Sequence, residues 1–110
     1  MPLTQGPTPV SPGDTDASPA GIRALSTSAP KLYTWTHLVG VFDASDDRLR
    51  LYVNGVLEGT ATDSSPFDAT GDLVIGRAQF NGVATDWFNG AANQIKVYDQ
   101  ALTAAQVGNI

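Results

Sequence analysis

The pair Asn54-Gly55 constrains this chain more than any other two residues. Both residues tolerate positive φ, so together they are the strongest short signal for a type I′ β-hairpin. Arg48–Val53 before the pair alternates with a period of two. Arg48, Arg50 and Tyr52 fall on one side, and Leu49, Leu51 and Val53 on the other. Such a strand sets one apolar face on a core and one polar face toward water or a second layer. Val56–Thr62 is then the returning strand. Upstream, residues 35–42 are rich in Trp, Val, Leu and Phe, which suit a pleated, half-buried surface. The Asp and Ser residues at 43–47 form a turn by bonding nearby backbone. Residues 35–62 are therefore predicted to be a three-stranded antiparallel meander.

The rest of the chain continues this pattern in shorter pieces. Residues 22–26 are predicted to form a short strand, and Pro30 a bend before the meander. Residues 63–71 read as a polar loop anchored by Phe67. The compact apolar run at 72–77 is predicted to be a strand, and 78–84 a loop. Residues 86–90 bring Trp87 and Phe88 to a turn. Residues 91–98 alternate again, with Ile95 and Val97 facing one way and Gln94, Lys96 and Tyr98 the other. Residues 102–107 read as one helical turn, with Thr103 as N-cap and Gln106 completing a capping box. Short strands among Gly-rich turns define an all-β class.

Residues 1–20 hold five of the seven prolines, with Ser, Thr, Gly and Asp. They are expected to be an extended linker ahead of one domain over 21–110. Gly13-Asp14-Thr15-Asp16 within it is read as solvated linker, since calcium needs six or more oxygens. The segment has no basic start and no apolar h-region, so no signal peptide is expected in it. No apolar run approaches the ~20 residues of a membrane helix.

Charge and composition narrow the partners. The net charge of −5 repels phosphate backbones and anionic lipid, so neither nucleic acid nor membrane is expected as a partner. There is no Cys, which excludes disulfides and thiolate chemistry. His37 is the single histidine and lacks the companions of a zinc set. It is expected to serve the structure, hydrogen-bonded in or beside the core. Glu58 is the single Glu, with no carboxylate at i+2 or i+4. Glycosidases need a carboxylate pair, so Glu58 is read as a hairpin surface residue. No Gly-x-Ser-x-Gly occurs either. The chain is therefore expected to be non-catalytic and to require no cofactor.

The blocks WTHLVGVFD, LRLYVNG, DLVIGR and FNG…IKVYDQALTAAQV, in that order, resemble the C-terminal half of laminin-G-like, concanavalin A-like jelly-roll domains. The resemblance covers residues 35–107. It implies an antiparallel β-sandwich, incomplete on its N-terminal side, since such domains resemble two stacked sheets of greater length. Asn93-Gln94 stand where the family carries an acidic pair. A half sandwich leaves an apolar face uncovered, so the chain is read as a truncated product, a fragment, or a chain that covers that face by pairing as a homodimer.

The resemblance implies a non-catalytic carbohydrate- or protein-binding accessory module of a secreted or surface protein. The alternatives are a structural spacer or self-associating fragment without ligand, and a glycoside hydrolase remnant. Trp87 is the candidate stacking residue for a sugar ring, because aromatics offer an apolar face with polar edges. Asn89 and Asn81 could bond hydroxyls, while Phe88 is expected in the core. Calcium is common in the resembled family, and Asp43 and Asp86 are its candidate ligands.

Overall fold

The computed structural model describes residues 2–4, 22–64 and 72–110. Residues 2–4, 22–64 and 98–110 belong to one compact unit, and residues 72–97 to a second.

The first unit is built on the meander. Strands β3 (Leu38–Asp43), β4 (Arg48–Val53) and β5 (Val56–Thr62) form an antiparallel sheet in that order. Asn54 and Gly55 take φ of 50° and 83°, the values a type I′ turn needs. Before β3, residues 35–37 stay outside the strand. The β3–β4 register is continuous from Leu38↔Val53 to Asp43↔Arg48. The β4–β5 register shifts between Leu51↔Gly59 and Tyr52↔Leu57, so Glu58 is the extra residue of a β-bulge.

Both faces of this sheet are covered at their centre. Leu49 and Leu51, each 3% exposed, pack with Ala24 at 0%. Ala24 belongs to β2 (Arg23–Leu25), which pairs antiparallel with β1 (Pro2–Thr4). Ile22, Phe42, Val53 and Ala61 complete this cluster. On the opposite face Val41 and Tyr52 pack with Val107, joined by Val39 and Leu102. The apolar face expected to lie open is thus occupied at its centre by the chain's own β2. The expected linker also carries a strand at Pro2–Thr4; its residues 5–20 lie outside the described set, as does the proposed anchor Phe67.

Gly59 explains how β2 comes so near. A Cβ there would stand 2.1 Å from Leu25 O and 2.7 Å from Leu25 N. Only a residue without a side chain admits another backbone at that distance.

Val107 reaches its face from α1 (Ala104–Val107), a single turn with the full capping box. Gln106 N–H donates to Thr103 Oγ1 at 3.2 Å, and Thr103 N–H donates to Gln106 Oε1 at 2.9 Å. Two reciprocal bonds satisfy donors that a helix this short would otherwise leave to water.

The second unit departs from expectation. Residues 78–84, expected as a loop, fall within a hairpin of β6 (Ala78–Phe80) and β7 (Val83–Thr85). Its turn is Asn81-Gly82 with φ of 52° and 77°, again type I′. Residues 72–77 and 91–98, where strand-like runs were expected, form no strand. Gly76 takes φ +97° and its carbonyl accepts from Phe88 N–H at 2.7 Å, which bends the first run. Gln94 takes φ +54° and donates its N–H to Asn93 Oδ1 at 2.8 Å, which interrupts the second. A left-handed residue breaks the regular extended geometry of a strand.

Candidate functional site

Trp87, Asn89 and Asn81 all lie in the second unit and all are exposed. Trp87 is 71% exposed and follows Asp86, whose φ of 53° turns the chain out of β7. Asn81 sits at the tip of the β6–β7 hairpin, where its positive φ serves the turn. Phe88, expected in the core, is 54% exposed. Its ring lies over Gly90, where a Cβ would meet ring carbons at 2.9 Å. The ring therefore spends its contact on a local turn instead of a core. The unit thus presents one open indole with amide side chains two residues after it and on a hairpin tip.

Of the candidate metal ligands, Asp43 lies in the first unit and Asp86 in the second. Asp43 ends β3, and its Oδ1 accepts from Ser45 N–H at 2.9 Å and from Ser45 Oγ–H at 2.6 Å. Arg50 stands 3.7 Å from its other oxygen and also pairs with Asp46. The Ser45 hydroxyl and amide bonds, joined by the Arg50 charge, hold the Asp43 carboxyl below its ordinary range. This carboxylate is engaged in closing the β3–β4 turn, a donor set that fits turn chemistry better than a cation cage. Among the described residues no three His, Cys, Asp or Glu side chains gather to hold a metal ion.

Glu58 and His37 are both tied down. Glu58 Oε1 accepts from Thr27 N–H at 3.0 Å, Thr27 Oγ1–H at 3.2 Å and Ser28 Oγ–H at 3.4 Å. The bulge aims this side chain at the segment following β2. Alternation cannot show a bulge, so the role of Glu58 was hidden in the sequence. His37 lies at the entrance to β3 with its residue exposed. Its backbone N–H donates to Asn54 Oδ1 at 3.0 Å, and Asn54 N–H donates to His37 O at 2.8 Å. The bonds that fix this position run through its backbone, outside the core.

A family model described as the concanavalin A-like lectin/glucanases superfamily, of the laminin G type, matches residues 9–108. The chain belongs to this superfamily. The match reaches back to residue 9, well ahead of the motif block that opens at Trp35. A solved structure shares the fold: the 2.1 Å crystal structure of residues 221–444 of an S-layer domain-containing protein from Clostridium thermocellum ATCC 27405. The two align with a TM-score of 0.61 and 21% identity, over 81% of this chain and 50% of that one. This chain thus spans about half the length of that solved neighbour. No curated protein matches it. The described strands are antiparallel and the helix is a single turn, in keeping with part of a concanavalin A-like jelly roll.

Proposed function

We propose that this chain is a non-catalytic accessory module of a surface or secreted protein, and that it binds carbohydrate through Trp87. The observation that carries this reading is the open indole of Trp87, flanked in its unit by the exposed amides of Asn89 and Asn81. An aromatic plane stacks on the apolar face of a sugar ring, and amides bond the hydroxyls at its edge. A rigid β-scaffold commonly carries such contacts on its loops. The S-layer description of the solved neighbour supports a surface location. The engagement of Glu58 by Thr27 and Ser28 supports a binding role over a hydrolytic one. Asp43 and Asp86 are the residues to vary if calcium affects binding.

A glycan array, followed by titration of any retained glycan, tests the proposal. Trp87→Ala is expected to weaken binding about tenfold or more, the worth of an aromatic stack. An array with no retained glycan refutes it, as does equal binding by Trp87→Ala.

A further inference from the structure

The edge of β3 points beyond a ligand role. Among the described residues β3 has a strand neighbour on one side only, since the sheet order is β3-β4-β5. Open edges in natural sheets are blunted by bulges, Pro, Lys or inward charge. The opposite edge strand β5 carries a bulge at Glu58. Strand β3 has none of these over Leu38-Val39-Gly40-Val41-Phe42 and keeps a continuous register.

The hydrogen-bond phase shows which residues face the open side. Asn54 N–H bonds His37 O, so positions 37, 39, 41 and 43 make the bonded pairs with β4. Leu38, Gly40 and Phe42 then aim their N–H and C=O groups outward. Gly40 is exposed, and Leu38 is 38% exposed.

These residues are a palindrome in kind, centred on Gly40. A two-fold axis through Gly40, perpendicular to the sheet, would pair two copies of β3 antiparallel. Leu38 would face the partner's Phe42, and Val39 the partner's Val41. Gly40 would face itself, and Asp43 would face the partner's His37. Every pair keeps both members on one face of the sheet, as antiparallel pairing requires. The outward groups of 38, 40 and 42 would meet their own kind in bonded pairs. Shifting the axis to Val41 would set Asp43 against Val39 and lose this match. We propose that β3 is a strand-addition edge whose occupant is β3 of a second copy, giving an isologous dimer with a continuous six-stranded sheet. The proposal is independent of whether a glycan binds.

Light scattering after size-exclusion chromatography, over a concentration series, reads the mass. A dimer has twice the 11.5 kDa of the chain. Cross-linking reads the register. The chain has no Cys, so one engineered thiol reports alone. Gly40→Cys places two thiols across the axis at a Cα separation of about 5.5 Å, within disulfide reach. Leu38→Cys places its thiols four residues apart along the strands, about 14 Å, beyond reach. The expected result is a dimer that Gly40→Cys locks and Leu38→Cys does not. Gly40→Pro removes the axial donors and should weaken the dimer about tenfold or more. Leu38→Lys serves the same purpose should Gly40→Pro fail to fold. A mass of 11.5 kDa at every concentration overturns the proposal and leaves the edge to another strand. A dimer that cross-links equally through both thiols, or that survives Gly40→Pro and Leu38→Lys unchanged, also overturns it.

Discussion

Replacing Gly59 with alanine tests the contact on which one half of the core depends. The new Cβ would stand 2.1, 2.7 and 2.8 Å from the O, N and C of Leu25, where real Cβ atoms essentially never come under 3.0 Å. All three atoms are backbone, so no side-chain rotation relieves the clash. Strand β2 must retreat by about 1 Å, which already forfeits much of the dispersion between the layers. Overpacking of this kind costs about 1–3 kcal/mol where the structure yields. If β2 instead lifts away, Leu49 and Leu51 lose their cover from Ala24. Losing half the burial of two leucines costs about 2–3 kcal/mol. The two routes overlap at about 2–3 kcal/mol, which for a chain of this size lowers Tm by about 10 °C. Thermal unfolding followed by circular dichroism measures the shift. Thr60→Ala, an exposed position on the same strand, is the control and should change little. If Gly59→Ala melts with the parent chain, β2 does not lie against β5 and the reasoning fails.

Other positions give independent tests. Gly55→Ala and Gly82→Ala each place a Cβ at positive φ, 83° and 77°, and each should cost about 1–2 kcal/mol; the first should lower the main unfolding transition, and the second should speed amide exchange in β6 and β7. Thr103→Ala removes the cap of α1 and should cost about 1 kcal/mol, with faster exchange at Gln106 and Val107 as its local sign. Glu58→Ala should lower stability by about 1 kcal/mol, whereas Glu58→Gln, which keeps a carbonyl acceptor for Thr27 N–H, should recover most of it. The Asp43 carboxyl has a folded pKa below its unfolded value. Its contribution is therefore fully present above the unfolded carboxylate range and is lost as pH falls through the lower folded value. Asp43→Asn should differ from the parent in melting temperature at neutral pH and converge with it in strong acid; a constant difference across that range would contradict the assignment.

The meander was legible because three local signals agreed. Alternation in Arg48–Val53, the turn residues at 43–47 and Asn54-Gly55 all specify one hairpin register. The capping box at Thr103 was legible for the same reason, since its two partners lie three residues apart. The second Asn-Gly hairpin, at Asn81-Gly82, carries the same turn signal, but its flanking strands are three residues each. Runs that short show no periodicity, so the turn pair had to be weighed alone. Residues 72–77 and 91–98 mislead in the opposite direction. Leu73, Val74 and Ile75, and later Ile95 and Val97, look like strand residues, yet a strand needs a neighbour to bond. Positive φ at Gly76 and Gln94 and exposure of these side chains show that it is lacking among the described residues of the unit. The bond from Thr27 to Glu58 and the approach of β2 to Gly59 were hidden because both depend on contacts between segments about thirty residues apart. For the candidate site, Trp87 was expected to be open because Phe88 beside it was expected in the core, yet both rings are exposed. The engagement of Asp43 by Ser45 and Arg50 followed from the turn's geometry and could not be read from spacing.

Strand β4 is covered on both faces by segments of its own chain. Nuclear Overhauser contacts in solution address it directly. Contacts are expected from the Ala24 methyl to Leu49 and Leu51, and from Val107 to Val41 and Tyr52, in the same sample. A folded β3–β4–β5 sheet lacking either set would contradict it.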